Sequence, residues 1–204
     1  MNKTDNNYKI AGILFIIATV IFILSEFICA INTKVSITET YALHTISELG
    51  VPYQINHFTP VYDLMNYAFI AVGILLLIGS VLALSKMIEK HKILYWLFVL
   101  STSLGMIIIA LYHAGHLYHA IGALMALVGG SLMLITISQT INASKNYRRI
   151  TLILGIIGVI FAFGMIYFIS IPQLYIFKAI PERICVYSLL IWSLISGLYL
   201  IKNS

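Results

Sequence analysis

Apolar side chains run along this chain in six long blocks separated by short polar stretches. A hydrocarbon core of about 30 Å takes about 20 helical residues at about 1.5 Å each. The blocks at Ile10–Ile31, Leu64–Ser85, Ile93–Tyr112, Ala120–Ile141, Ile150–Ile171 and Ile184–Ile201 meet that length. Residues Ile93–Ser144 carry no Lys, Arg, Asp or Glu. As one helix they would reach about 78 Å, so the chain must turn back inside this stretch. The turn falls at His113-Ala114-Gly115-His116, where glycine frees the backbone and histidine supplies polarity. The first block follows Lys3 and Lys9 and precedes small residues near Ala30, as in a secretory leader. Its 22 residues exceed the usual ~7–15-residue leader core, so it reads as an anchor.

Between the first two blocks lies one long polar segment, Asn32–Asp63. The alternation of Val35-Ser36-Ile37-Thr38-Glu39-Thr40-Tyr41 predicts a short strand, and Leu43, Ile46 and Leu49 predict a small helix lying on the membrane surface. Gly50, Pro52 and Pro60 punctuate the return, and Thr59-Pro60 reads as the start of the second span. Small residues at Gly122, Ala126 and Gly130, at Gly155 and Gly158, and at Ser193 and Gly197 mark faces where helices approach closely. The expected fold is an all-α membrane protein: one domain over residues 1–204, a six-transmembrane-helix bundle with a partly ordered outer loop.

Composition narrows the function classes. With 61% apolar and 9% charged residues, the chain falls far below the roughly 25% charge of soluble proteins. That excludes a soluble enzyme and a disordered tail, and two cysteines exclude a disulfide scaffold. The net charge of +5 forms no basic face, so nucleic acid is not an expected partner. Six spans put both termini on one side. Placing them in the cytoplasm of a cell-membrane protein leaves nine cations inside (Lys3, Lys9, Lys86, Lys90, Lys92, Lys145, Arg148, Arg149, Lys202) and three outside (Lys34, Lys178, Arg183). Tyr95 and Trp96 then fall at the inner interface, and Tyr112 and Tyr118 at the outer one. His44, His57, His113, His116 and His119 gather outside with Glu26, Glu39, Glu48, Asp63 and Glu182.

Three chemistries fit that polar face. His116 and His119, with His113 or Asp63 as a third ligand, have spacing that suits a divalent metal such as zinc. With Asp63 or Glu48 as ligand or general base, that set would serve an outer-leaflet metal-assisted hydrolase or transferase acting on lipid. Glu26, an acid inside a span, suggests either a structural ion pair with Arg183 or a small proton-coupled carrier. Cys29 and Cys185 sit at similar depth, as buried small residues or as a disulfide. His44, Ser47 and Glu48 share one helical face, but a triad needs its base between the other two groups. No nucleophile elbow, phosphate loop or H-E-x-x-H occurs. The leading expectation is a non-catalytic lipid-contacting protein or an accessory subunit, with Glu26, Asn66 and Arg183 holding the bundle. Its expected partners are membrane lipids, other membrane proteins or a second copy.

Ser47-Glu48-Leu49-Gly50, Asn66, His116 with His119, and Glu182-Arg183-Ile184-Cys185-Val186-Tyr187 leading to Trp192 resemble a prokaryotic integral-membrane family, domain of unknown function 998. The resemblance spans the chain from the first block to the last. It implies a six-helix bundle with an outward polar face, and it implies no substrate.

A cysteine placed at Gly115 and another at Ser204 are expected to react with an impermeant thiol reagent from opposite sides of the membrane. Labelling of both from one side would overturn the six-span reading.

Overall fold

A computed structural model describes residues 3–56 and 58–204, without the side chains of residues 3–5 and 56. His57, expected on the outer face, lies outside the described residues. The chain forms α1 (Lys3–Ile31), two short helices α2 (Ile37–Leu43) and α3 (Tyr53–Asn56), and α4 (Tyr62–Gly79), which runs on through Ser80–Leu84 into α5 (Ser85–Met87). Then follow α6 (Lys92–Leu111), α7 (Leu117–Thr140), α8 (Lys145–Ser170) and α9 (Ala179–Lys202). Six helical stretches are long and apolar enough to cross a membrane, and no strand occurs among the described residues. This is a multi-pass membrane protein. Its exposed surface is apolar along the spans, as at Ile17 and Leu24 of α1, Leu104 of α6, and Ile160 and Phe163 of α8, as a lipid-facing surface must be.

Each spanning helix packs on its neighbours in the chain, and α1 packs on α9 to close the ring; α7 also touches α9 across it. The closing seam is antiparallel and in register. Gly12 lies against Gly197, the Ser193 hydroxyl donates to the Phe15 carbonyl at 3.0 Å, and the Thr19 hydroxyl donates to the Leu190 carbonyl at 3.2 Å. Further along, Glu26 meets Arg183. One end of the bundle therefore carries both termini, and the other carries the 32–61 loop and the 113–116 turn. At the terminal end the Glu89 N–H donates to the Thr140 carbonyl and the Asn142 N–H to the Met87 carbonyl, clasping two loops through a lone Ile88–Ile141 bridge.

Glycine sets the closest approaches. A Cβ on Gly105 would stand 2.5 Å from the Ala126 nitrogen and 2.7 Å from the Gly122 carbonyl oxygen, so α6 and α7 touch backbone to backbone. At the 113–116 turn Gly115 adopts φ +96°, a region open to glycine.

The loop departs from its expected form. Residues 35–41 make no strand: Ser36 caps α2 by accepting the Glu39 N–H at 3.2 Å, and Ser36-Ile37-Thr38-Glu39 is a capping-box sequence that outranks a brief alternation. No helix lies on the membrane surface at 43–49 either. The chain makes a 3₁₀ turn at Ser47–Gly50, and Ile46 and Leu49 are fully buried, plugging the end of the bundle. Thr59 does not cap α4; its hydroxyl accepts the Val61 N–H, and the helix starts at Tyr62. Tyr95, expected at an interface, is fully buried, with its hydroxyl directed at the Ser80 carbonyl. That carbonyl lies in a π turn at Ser80–Leu84.

Gly105→Ala is expected to destabilise by about 1–3 kcal/mol, because a methyl group there meets unyielding backbone. Gly164→Ala, whose new methyl group would find its nearest neighbour at 3.9 Å, is expected to be neutral or stabilising. Thermal unfolding in detergent distinguishes the two.

Candidate functional site

The start of α9 organises the loop end. Glu26, near the end of α1, is 1% exposed and would be costly there alone. Arg183 Nε donates to Glu26 Oε1 at 3.0 Å, and the Tyr187 hydroxyl donates to Oε2 at 2.8 Å. Tyr187 stands one helical turn beyond Arg183, which places both donors on one face of α9. Arg183 Nη1 donates to the carbonyls of Tyr41 and His44, and its guanidinium lies 4.8 Å over the Tyr41 ring. Burial, with Glu26 nearby, pushes the Tyr41 phenol up from its ordinary pKa and keeps it uncharged. Glu182 accepts the Ile46 N–H at 2.7 Å from the first turn of α9. Asn66 of α4 donates to the Gly50 carbonyl at 2.9 Å. One helix start and one amide thus fasten most of the loop.

Of the polar residues expected to form an outer site, Glu26, Glu182 and Arg183 come together at this fastening, and Asn66 fixes the loop from the other side. Glu48 turns elsewhere. Its Oε1 accepts Lys178 Nζ at 2.7 Å, and Oε2 accepts the Thr45 N–H at 2.9 Å with His44 Nδ1 at 3.4 Å. Asp63 is exposed in the first turn of α4, where the helix dipole favours an acid. Glu26 ties α1 to α9, Glu182 and Arg183 tie α9 to the loop, and Glu48 ties the loop to the segment before α9, so all four are contacts first.

Beside this fastening lies a cavity of about 720 Å³. Its apolar walls are α7, with Ala120, Ala123, Leu124 and Leu127, and α8, with Ala162 and Ile166. The cause of the space is a change in packing along these two helices. Toward the terminal end Gly155 lies against Leu134 and Ile135, and Gly158 against Ser131, so the helices touch. From Ala162 to Ser170, about 12 Å of α8, both line the cavity instead. The loop residues Thr45, Ser47, Glu48, Val51 and Ile55, with Tyr175 and Lys178 ahead of α9, form the remaining wall. Lys178 Nζ lies 3.7 Å from the centre of the Tyr175 ring.

The histidines behave otherwise than expected. His116 caps α7, its Nδ1 accepting the Tyr118 N–H at 3.2 Å, and its ring clusters with those of Tyr112 and Tyr118, which also touch each other. His119 Nδ1 donates to the Tyr112 carbonyl at 2.7 Å, satisfying a group left open at the end of α6. His113 Nδ1 turns to its neighbour, the Ala114 carbonyl. The expected zinc-type group of His113, His116 and His119 with Asp63 or Glu48 is therefore not assembled. Among the described residues no three His, Cys, Asp or Glu side chains gather where an ion could be held. Cys29 and Cys185 are both free and face different partners, the Val61 carbonyl and the Ser131 hydroxyl, so the conceivable disulfide is not formed.

The pairing of Glu26 with Arg183 is readable in the sequence, whereas Lys178, Tyr175 and Tyr187 were not expected as partners. Tyr187 carried a signal, its four-residue spacing from Arg183. Lys178 carried none, because a cation outside the spans is unremarkable and nothing marks Glu48, 130 residues away, as its partner.

Removing one member of a buried ion pair costs about 3–5 kcal/mol. Glu26→Gln and Arg183→Met are each expected to lower thermal stability on that scale, and Glu26→Leu with Arg183→Met to recover part of it. Arg183→Met also frees the Tyr41 and His44 carbonyls, so limited proteolysis of the 32–61 loop should rise more in Arg183→Met than in Glu26→Gln.

Compared with known proteins, the chain matches no curated protein and no solved structure. A family model described as protein of unknown function, DUF998, matches residues 10–199, nearly the whole length. The bundle, the α9 fastening and the cavity all fall inside that range, and the chain belongs to the DUF998 family.

Proposed function

We propose that this protein is a non-catalytic lipid-binding membrane protein that holds one amphipathic molecule in the cavity between α7, α8 and the loop. Its cell-membrane orientation has both termini in the cytoplasm and the cavity at the outer face, on the nine-to-three excess of cations toward the terminal end. The observation that carries the reading is the cavity itself. Its volume of about 720 Å³ lies within the ~300–1,000 Å³ of small-molecule sites. Two transmembrane helices supply an apolar wall, and the loop supplies a polar one with Thr45, Ser47, Glu48 and Lys178. Such a division suits a molecule with one greasy and one polar end.

The two walls have different tasks. Lipid tails are as apolar as leucine, so moving an alkyl chain from bilayer to cavity gains little by hydrophobicity. The apolar wall supplies shape, and the polar wall supplies the affinity. The same geometry disfavours a proton-coupled carrier, because Glu26 is 1% exposed and already held by Arg183 and Tyr187. The two imidazoles that line the cavity, His116 and His119, each engage backbone through Nδ1, which favours binding over catalysis.

The test is lipid retention by the intact protein in detergent, read by native mass spectrometry. Ala123→Phe fills the apolar wall and is expected to lower retained lipid about tenfold or more. Ile121→Phe, on the exposed side of the same helix and outside the cavity, is expected to retain wild-type levels. Equal retention by the two variants would overturn the assignment.

A further inference from the structure

Two charged side chains line the cavity, Glu48 and Lys178, and they are bound to each other at 2.7 Å. A rim of that kind has no net charge but a strong local dipole. A purely anionic head group drawn to Lys178 meets Glu48 immediately beside it, and a purely cationic one meets the reverse. The attraction and repulsion nearly cancel, because Coulomb energy varies only as the inverse of distance. A head group with its own two charges, laid antiparallel to the pair, meets attraction at both ends.

Both side chains have capacity left for that arrangement. An ammonium has three N–H donors, and Lys178 commits one to Glu48. A carboxylate offers about four lone-pair sites. Glu48 uses them on Lys178 and the Thr45 N–H, with His44 at a longer 3.4 Å. Tyr175 lies under Lys178 Nζ at 3.7 Å and holds the ammonium at the cavity wall. Such a ring stabilises the charged form of the lysine.

We propose that the cavity selects a zwitterionic head group, its anionic part on Lys178 and its cationic part on Glu48. This inference rests on the lipid-binding reading and names the class of lipid. An acyl chain would lie against α7 and α8, with the head at Glu48 and Lys178, so the molecule stands with its polar end toward the loop.

The test uses the full chain in detergent, titrated with phosphatidylethanolamine, phosphatidylglycerol and diacylglycerol of identical acyl chains, read by native mass spectrometry. The wild type is expected to bind phosphatidylethanolamine about tenfold more tightly than either competitor, as one added charged hydrogen bond allows. Glu48→Gln preserves shape but leaves Lys178 unopposed, and is expected to reverse the order in favour of phosphatidylglycerol. Lys178→Gln is expected to abolish the preference for the zwitterion. A wild type that favours phosphatidylglycerol or diacylglycerol overturns the inference, as does an unchanged order in Glu48→Gln. Should Glu48→Gln fail to melt cooperatively, the wild-type order and Lys178→Gln decide. Binding without a head-group order overturns this inference alone, whereas no binding of any of the three overturns the lipid reading beneath it.

Discussion

A carboxylate inside a membrane helix must be matched, and the Glu26–Arg183 contact is the constraint from which the loop end follows. An isolated ion in an apolar interior is costly enough that it is paired or neutralised. Arg183 answers with more donors than one acid can use. Nε serves Glu26, while Nη1 reaches two loop carbonyls and thereby fixes where residues 41–44 lie. Glu182, one residue earlier, fixes the Ile46 N–H. The loop is then committed, Ile46 and Leu49 seal the bundle end, and Glu48 is delivered to Lys178. Buried ion pairs add little net stability compared with well-packed apolar residues, but they specify arrangement. Here the specified arrangement is the contact of first helix with last.

The spans were legible because their signal is long and physical: a helix that crosses lipid must be apolar for about 20 residues. The Glu26–Arg183 pairing was legible for a related reason, since charges in spans are rare and must find each other. The loop was not legible. Its elements are four to seven residues long, and over such lengths alternation, helical spacing and capping compete on nearly equal terms. At residues 36–39 the capping hydroxyl of Ser36 won. The three histidines misled for a different cause. Spacing alone suits a metal, but the ends of α6 and α7 leave open backbone groups, and Tyr112 and Tyr118 take up the nearest ring nitrogens.

The cavity could not be read from the sequence because it arises from a contrast within one helix pair. Small residues draw α7 and α8 together at Gly155 and Gly158, and their influence ends near Ala162. Beyond that point larger side chains, Met165, Ile166 and Ile169, meet α7 residues across open space, and the loop closes over it. The apolar parts of the cavity are therefore set by helix packing, whereas the polar parts are set by the loop. Its two halves are tied through the same α9 start that holds Glu26.

The closed ring also dictates an order of events during biosynthesis. Neighbouring helices can pair as hairpins while the chain emerges, but Glu26 precedes Arg183 by 157 residues. At ribosomal speeds of about 5–20 residues per second, the acid waits roughly 8–30 s for its counter-ion. Throughout that interval α1 is an incomplete membrane helix, carrying an acid that lipid tolerates poorly. Quality control that surveys nascent helices would therefore see this protein as unfinished until its final span arrives, and truncations that remove α9 would remain in that vulnerable condition.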